Sequence, residues 1–386
     1  MRNFNAERVQ RQGTIHLFYF CVILLLGVGL VTLYSSSYAF SQRYKNDGNY
    51  LIRRQLIFSA IGIVLFFIFS KINLRDLRKY VVHLLAIAAF LCVITLILGV
   101  EKKGASRWIE IGPLSYQPSE MVKLALPLYL AHLLDKKAGS LDDFYSGVLP
   151  PLLVTGLFFL LIYIQNSFST AIFIVFNVLI IFFLAGMHYR YFLAATLMIL
   201  PISALLIFTK EHRVRRLISF LKPEWEPLGA GYQVTAGRQA IISGGFWGKG
   251  LGEGTRKIAS IPEVHSDFIF SAYAEETGFI GVVLLFVLFT AFAILGYRAA
   301  WRSETLFERL LAAGLTTMIV SQALLNVAVA SGFFPVTGVP LPFFSAGGSS
   351  LATTLCCAGL IANVAVNGGS NSGTASGSGA RNGGEV

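Results

Sequence analysis

Ten long apolar segments run through this chain, and they constrain its fold more than any other feature of the sequence. A helix needs about 20 mostly apolar residues to cross a lipid bilayer. The segments are continuous rather than alternating in polarity, which is typical of membrane helices and not of barrel strands. The predicted spanning helices cover residues 15–36, 51–72, 80–99, 119–134, 147–164, 169–186, 189–209, 266–297, 308–331 and 343–366.

The composition excludes an ordinary soluble enzyme and a disordered protein. Hydrophobic residues make up 55% of the chain and charged residues only 13%, whereas a soluble domain has about 25% charged residues. We therefore predict an all-α polytopic membrane protein with ten transmembrane helices. The net charge of +11 favours anionic partners, such as membrane lipids or diphosphates, and we expect no nucleic acid partner.

An even number of spans places both termini on one side of the membrane. The long loop 210–265 joins the seventh and eighth segments. When the residues of this loop are not counted, Lys and Arg are more frequent on the side of the membrane that holds the termini. Because basic residues are retained in the cytoplasm, we predict cytoplasmic termini and a large extracytoplasmic loop. The predicted organisation is a cytoplasmic arm (1–14), a membrane domain (15–366) and a disordered, Gly- and Ser-rich cytoplasmic tail (367–386).

The fourth apolar segment begins with charged residues. Pro118 suits the first turn of a helix, and Glu120 and Lys123 follow at a spacing of three residues. At this spacing they share a helix face and can form an ion pair. Charged residues within a span usually face the bundle interior or a water-filled cavity. The alternative is an ion pair that only orients neighbouring helices, and the sequence leaves both interpretations open.

A second polar group, His265, Ser266 and Asp267, leads into the eighth segment. We predict that Asp267 lies in the first helical turn, where Ser266 caps the helix and the helix dipole favours the ionised carboxylate. Such a carboxylate can act as a general base towards a hydroxyl group. The alternative is an ordinary residue at a helix N-terminus. Glu275 and Glu276 follow on different faces of the helix, so they cannot both face the cavity beside Asp267.

The long loop combines positive charge with glycine. A basic run at its start precedes a Gly-rich stretch that contains Lys249 and allows the backbone to approach a ligand closely. The loop suits a phosphorylated ligand, although binding of anionic lipid headgroups explains the charge equally well. The basic run comprises Lys210, Arg213, Arg215, Arg216 and Lys222.

The stretch 335–350 is too rich in Pro and Gly at its start to form a regular helix there. Irregular backbone at membrane depth is tolerated where it is buried in protein or lines a cavity. We therefore expect this stretch to line a cavity. For Gly347 and Gly348, close packing of two helices through small residues is the alternative.

Several short motifs occur together along residues 12–366. They are G-A-S-R-W-I (104–109), Q-P-S-E-x-x-K (117–123), G-Y-Q (231–233), G-K-G-L-G (248–252), P-E-V-H-S-D-F-I-F (262–270), Gln322 with Asn326, and L-P-F-F-S-A-G-G-S-S (341–350). In this combination the chain resembles the SEDS family of FtsW, RodA and SpoVE, and its division members more than its elongation members. Two departures concern the cavity: Ser167 stands where the family usually has an acid, and Ala346 where it usually has Tyr.

The resemblance implies a peptidoglycan glycosyltransferase that polymerises lipid II on the outer face of the bacterial cytoplasmic membrane. Its implied role is septal wall synthesis in cell division. A class B penicillin-binding protein, which is a transpeptidase, is the implied partner, together with other division proteins. The alternatives are a lipid II flippase, an elongation-type polymerase of the same family, and a scaffold that recruits division proteins.

For the site, the resemblance implies that Asp267 is the general base that deprotonates the 4-hydroxyl of the acceptor sugar. Polyprenyl diphosphate is then the leaving group, and preorganised cations stabilise its charge. A divalent cation, Mg²⁺ or Mn²⁺, that bridges the diphosphate is a further expectation, with its protein ligands unknown. The predicted substrate-binding residues are Arg107, Trp108, Gln117, Glu120, Lys123, Arg213, Arg215, Arg216, Lys249, His265, Ser266, Gly347, Gly348 and Ser349.

Overall fold

The computed structural model describes residues 2–102, 105–111, 114–225, 229–254 and 264–367 of the chain. These residues form twelve α-helices and one small antiparallel sheet. The helices are α1 (Arg2–Lys45), α2 (Tyr50–Lys71), α3 (Leu74–Leu98), α4 (Pro118–Lys136), α5 (Leu149–Ile164), α6 (Phe168–Leu184), α7 (Tyr189–Phe208), α8 (Glu211–Leu221), α9 (Ala230–Gly244), α10 (Ile269–Trp301), α11 (Leu306–Ala330) and α12 (Gly348–Asn367). The strands are β1 (Val100–Lys102), β2 (Ala105–Ile111) and β3 (Leu114–Tyr116), in the order β1-β2-β3.

Within the described residues, eight helices are long and apolar enough to cross a membrane, namely α1, α2, α3, α5, α7, α10, α11 and α12. Helix α6 is apolar but has only 17 residues, and α4 carries Glu120 and Lys123 near its start. Each of the ten predicted segments overlaps one of these ten helices. The prediction of an all-α multi-pass membrane protein is confirmed, while the count of ten spans stays a prediction.

Two helices begin later than their apolar segments do. Helix α10 begins at Ile269 rather than at 266, and α12 at Gly348 rather than at 343. Before α12 the chain turns instead, because Phe343 has a φ of 68° and the Phe344 amide donates to the Leu341 carbonyl. At the N-terminus, α1 begins at Arg2, so the backbone of the predicted arm continues the first helix. The predicted disorder of the tail concerns residues 368–386, which lie outside the described residues.

Glycines let α2 and α12 approach each other closely, and let α1 approach the stretch that precedes α12. Gly29 of α1 lies against the backbone of Phe343, Gly62 of α2 against Leu355, and Gly359 of α12 against the backbone of Phe66. In lipid, helices associate through close packing because burying apolar side chains from lipid gains little free energy. Helices α11 and α12 lie at the centre of this bundle. In the most apolar 18 residues of each helix, 72% and 78% of the residues are buried inside the protein.

The loop 210–265 contains regular structure that the sequence analysis missed. It holds α8 and α9, and α8 places basic and apolar residues on different faces. The segment between α3 and α4 forms the three-stranded sheet, which is also a local departure from an all-α chain. These elements are short, so the hydropathy of long segments carries no signal for them.

Helix α10 is broken at Gly278, where the backbone has φ 65° and ψ −164°. The loop after α9 pairs with α10 at this break: the Lys249 amide donates to the Glu275 carbonyl (3.1 Å), and the Phe279 amide to the Gly245 carbonyl (2.9 Å). The Lys249 ammonium also pairs with the fully buried Glu275 carboxylate at 2.7 Å. The break therefore fixes the Gly-rich stretch of the long loop onto a membrane helix.

Gly278→Ala is expected to lower the free energy of unfolding by about 1–3 kcal/mol through backbone strain, since this backbone region is almost restricted to glycine. A Cβ at Gly278 would also lie 2.2 Å from the backbone nitrogen of Gly248. Thermal unfolding in detergent measures the loss. Gly156→Ala in α5 is the control, because a Cβ there meets no atom within 4 Å and alanine favours a helix interior by about 0.5–1 kcal/mol. Equal melting temperatures of the two variants would contradict the prediction.

Candidate active site

Asp267 lies in a turn formed by residues 264–268, directly before α10. The prediction that it occupies the first helical turn is therefore wrong, and so is the prediction that Ser266 caps the helix. Phe268 is the capping residue and makes no side-chain cap bond. The Ser266 hydroxyl instead donates to Oδ1 of Asp267 at 3.0 Å. The helix starts late because the carbonyl groups of this turn are bound by other parts of the chain.

Three carbonyl groups of the turn accept hydrogen bonds from outside it. The Ala346 amide donates to the His265 carbonyl (2.8 Å), the Ser345 hydroxyl to the Ser266 carbonyl (2.6 Å), and the Asn326 side-chain amide to the Asp267 carbonyl (3.1 Å). Two of these donors belong to the Pro- and Gly-rich stretch. The irregular backbone expected from the sequence thus packs directly against the turn that carries Asp267.

A cavity of about 690 Å³ lies among α6, α8 and α11, and none of residues 264–268 is among the residues that line it. Apolar side chains of α6 and α11 form much of its wall, α8 adds His212, Arg213, Arg216 and Leu217, and residues 334–337 complete it. Gly338, which follows the lining residue Thr337, has a φ of 74°, and a Cβ there would lie 3.6 Å from Oδ2 of Asp267. The Asp267 carboxylate therefore lies close to the backbone that follows the lining residue Thr337, although Asp267 itself does not line the cavity.

Three arginines line this cavity: Arg107 of β2, and Arg213 and Arg216 of α8. Arg107 donates to the Asn166 carbonyl, and Arg216 donates to the Val336 carbonyl at 3.4 Å. Because all three point to one space from two different elements, the long loop and the small sheet together form one cationic surface.

Arg213 is the most buried of the three arginines, with 6% exposure. Its guanidinium lies over the rings of Tyr163 (4.6 Å) and Phe168 (4.8 Å), and Nη1 donates to the Leu206 carbonyl (2.9 Å). Among the described residues, Nε and Nη2 of Arg213 have no hydrogen-bond acceptor, and neither has Nε of Arg107. Buried cationic donors without acceptors favour binding of an anion in this cavity.

Burial and, to a smaller extent, nearby Arg216 lower the pKa of Arg107 to about 10, although Asp267 acts in the opposite direction. Burial also lowers the pKa of Arg216, and Asp267 again opposes this effect. The pKa of His212, another lining residue, is lowered by burial and then by Arg216. At neutral pH Arg107 and Arg216 stay charged. The Asp267 carboxylate therefore lies near two cations.

Two other predicted cations lie elsewhere. Arg215 is exposed and pairs with Glu211 at 2.6 Å on the outer face of α8, and Lys249 pairs with Glu275. Neither belongs to the lining of the cavity. On a helix, residue 215 lies about 100° from residue 216, which explains why adjacent arginines face different surroundings. The substrate-binding roles of Arg215 and Lys249 stay predictions.

Glu120 and Lys123 form a buried ion pair of 2.7 Å, with about 4% of each side chain exposed. The Lys123 ammonium also donates to Oε1 of Gln322 in α11 (3.0 Å), and Nε2 of Gln322 donates to the Pro340 carbonyl (2.8 Å). The pair thus connects α4 to the irregular stretch beside Asp267. This arrangement fits both interpretations of the pair, because it orients helices and also reaches the candidate site.

Lys123→Met is expected to lower the free energy of unfolding by about 3–5 kcal/mol, since it leaves the Glu120 carboxylate buried without its counterion. The double variant Glu120→Gln, Lys123→Met removes both charges and is expected to recover most of this loss. Thermal unfolding of both variants in detergent measures the difference. If the double variant were no more stable than Lys123→Met, the unpaired Glu120 carboxylate would not be the cause of the lost stability.

Among the described residues, the cavity lining includes none of the remaining predicted substrate-binding residues. The His265 ring packs against Phe40, with centroids 4.4 Å apart. A Cβ at Gly348 would lie 2.1 Å from the Phe58 ring, which favours the helix-packing interpretation for this glycine. The other four residues make contacts away from the cavity lining: Trp108 pairs with Val100 in the sheet, the Gln117 amide donates to Ser349 Oγ (3.4 Å), and the Gly347 amide donates to Gln55 Oε1 (3.2 Å).

The sequence analysis assigned no role to several residues of this site. Asn166 has a φ of 58° and presents its carbonyl to Arg107. Ser167 and Thr337 line the cavity, and their hydroxyl groups are buried without partners among the described residues. Asn326 and Gln322 are polar residues four apart in an apolar helix, and this spacing was the available signal for a shared polar face.

The fold and the site together define a multi-pass helical membrane protein. It has a largely apolar cavity that three arginines line, and a carboxylate lies near two of these arginines. The family model for FtsW, RodA and SpoVE, described as a cell cycle protein, matches residues 15–369. The chain therefore belongs to this family. Its relatives over most of its length are bacterial proteins, and eight of its described helices are long and apolar enough to cross a membrane. Both observations indicate a multi-pass bacterial membrane protein.

Curated relatives cover nearly the whole chain. It is 36% identical to a probable peptidoglycan glycosyltransferase FtsW of Geobacter sp. strain M18, over 90% of this chain and 96% of that protein. It is 35% identical to the stage V sporulation protein E of Bacillus subtilis, over 89% of this chain and 94% of that protein.

Two solved structures share the fold. A chain from a study titled "Structural coordination of polymerization and crosslinking by a peptidoglycan synthase complex" has a TM-score of 0.77 and 28% identity, covering 92% of this chain and 98% of that chain. The rod shape determining protein RodA of Thermus thermophilus has a TM-score of 0.67 and 28% identity, covering 91% of this chain and 96% of that chain.

Proposed function

We propose that this protein is a peptidoglycan glycosyltransferase that polymerises lipid II into glycan strands on the outer face of the cytoplasmic membrane. The Geobacter relative carries this activity in its name. The observation that carries the proposal is the placement of one carboxylate, Asp267, within electrostatic range of Arg107 and Arg216, which line the cavity together with Arg213. A base next to an anion site is what transfer of a sugar from a diphosphate requires.

In the proposed reaction, Asp267 accepts the proton of the acceptor 4-hydroxyl. The hydroxyl oxygen forms a bond to the anomeric carbon of the growing chain while the bond from that carbon to the diphosphate oxygen breaks. The electron pair of the broken bond leaves with polyprenyl diphosphate. The nearby guanidinium groups favour the ionised form of Asp267, as a general base at neutral pH requires.

The cavity supplies the other groups that the reaction needs. Arg107, Arg213 and Arg216 are placed to bind the diphosphate and to stabilise the charge that develops when it leaves. Phe173, Phe176 and other apolar residues of the lining suit the polyprenyl chain. One cavity therefore accommodates both the charged and the apolar part of a lipid-linked sugar.

Mg²⁺ or Mn²⁺ at the diphosphate remains part of the proposal as an expectation. Within the described residues, no group of three or more His, Cys, Asp and Glu side chains could hold a metal ion. These side chains alone do not form a metal site, so such an ion would take most of its ligands from diphosphate oxygens and water. The proton transfer to Asp267 does not depend on it.

We further propose a class B penicillin-binding protein as the partner, since one chain with the same fold comes from a study of a peptidoglycan synthase complex. Location at the division septum, contacts with other division proteins and membrane lipids, and cytoplasmic termini belong to the same proposal. The FtsW names of the relatives favour division over elongation.

The test is polymerisation of labelled lipid II by the purified chain, alone and with its transpeptidase, with a chelator control. Glycan ladders from the wild type support the proposal, and their loss with chelator would support the divalent cation. No ladders under any condition, together with transport of lipid II across vesicle membranes, would favour the flippase alternative.

A further inference from the structure

The position of Asp267 depends on contacts from outside its own segment. Residues 264–268 form a turn before α10, so the backbone of Asp267 is not part of that helix. The donors that bind the carbonyls of this turn come from Ser345 and Ala346 of the irregular stretch and from Asn326 of α11. Of these three donors, Asn326 alone belongs to a membrane helix, which makes it the rigid member of the set.

Asn326 joins the two irregular segments through one amide group. Its Nδ2 donates to the Asp267 carbonyl at 3.1 Å and to the Val339 carbonyl at 2.9 Å, and its side chain is 1% exposed. Gln322, one turn earlier in α11, donates to the Pro340 carbonyl. Helix α11 thus holds the backbone next to Gly338, the residue that borders Oδ2 of Asp267.

We infer that Asn326 is a positioning residue for the reaction, which fixes the Asp267 turn and the irregular stretch relative to each other. This inference rests on the proposed glycosyltransferase function. Asn326 bonds the backbone carbonyl of Asp267 and not the carboxylate. It therefore determines where the base lies without setting its charge, and a displacement of about 1 Å at a reacting group can cost about 100-fold in rate.

Asn326→Leu keeps the branched shape and the number of heavy atoms of the side chain and removes both donated hydrogen bonds. We expect kcat for lipid II polymerisation to fall about 10- to 100-fold, with KM within about twofold of the wild type because Asn326 does not line the cavity. The acidic limb of the pH profile is expected to stay in place, since the carboxylate keeps its neighbours.

A second buried asparagine provides a matched control. Nδ2 of Asn363 in α12 also donates to two backbone carbonyls, those of Phe69 (2.8 Å) and Ile72 (2.6 Å), and its side chain is 0% exposed. These acceptors lie at the end of α2, away from the Asp267 turn. Asn363→Leu loses the same kind of bonds, so a similar fall in melting temperature with near-normal kcat is expected.

Amide hydrogen exchange provides a readout that does not depend on activity. Exchange in residues 264–268 is expected to be about tenfold faster in Asn326→Leu than in the wild type and in Asn363→Leu. A kcat within twofold of the wild type, or equal losses of kcat in the two variants, would overturn the inference. If the wild type makes no glycan, the proposed function fails, and unchanged exchange in Asn326→Leu would then overturn the positioning role by itself.

Discussion

Asp267→Asn is expected to lower kcat for glycan polymerisation by about 10³-fold, since general-base catalysis contributes about 10²- to 10⁴-fold. Asparagine has nearly the shape of aspartate and can still accept the hydrogen bond from Ser266. It cannot accept the proton of the acceptor hydroxyl. The measurement is the steady-state rate with labelled lipid II, with the melting temperature recorded beside it.

Asp47→Asn is the control for this variant. Asp47 forms an exposed ion pair with Arg53 at 3.2 Å, and exposed pairs contribute about 0–1 kcal/mol to stability. The control is expected to keep the wild-type rate. Full activity of Asp267→Asn would exclude the base assignment, and with retained lipid II transport it would favour the flippase.

Arg216→Gln is expected to lower kcat/KM for lipid II by about 10²-fold, because loss of one preorganised charge-stabilising donor costs about 10²- to 10³-fold. Arg216 lines the cavity and interacts electrostatically with Asp267. Its loss also removes a positive charge that favours the ionised base. We expect the acidic limb of the pH–rate profile to move to higher pH, since a less cationic surrounding raises the pKa of a carboxylate.

Arg215→Gln is a stringent control, because it removes the same charge from the adjacent position. Arg215 pairs with Glu211 on the exposed face of α8 and lies outside the cavity lining. Its kcat/KM is expected to stay within about twofold of the wild type, as for most exposed ion pairs. Equal losses in the two variants would mean that α8 acts through its overall charge, as binding to anionic lipid headgroups would require.

The two variants separate the roles proposed for the site. Asp267→Asn is expected to reduce kcat and to leave binding of polyprenyl diphosphate unchanged. Arg216→Gln is expected to weaken that binding as well. Equilibrium binding of the diphosphate lipid to the purified variants distinguishes these outcomes without turnover.

The sequence by itself determined the helical membrane fold, because long apolar segments cannot leave their backbone polar groups unpaired in lipid. It also determined local pairs: the i, i+3 spacing brings Glu120 and Lys123 together on one helix face wherever α4 packs. Asp267 was singled out by its place at the start of an apolar segment, and the resemblance to the SEDS family implied its role as the base.

Only the tertiary structure decided which residues share the site. Arg107 and Arg216 belong to different elements far apart in the chain, and only the docking of α8 against the cavity separates Arg216 from Arg215. Asn326 contacts Asp267 across 59 positions of sequence. Hydropathy and periodicity report local preference, whereas these contacts depend on how helices pack, where small residues and the break at Gly278 set the distances between backbones.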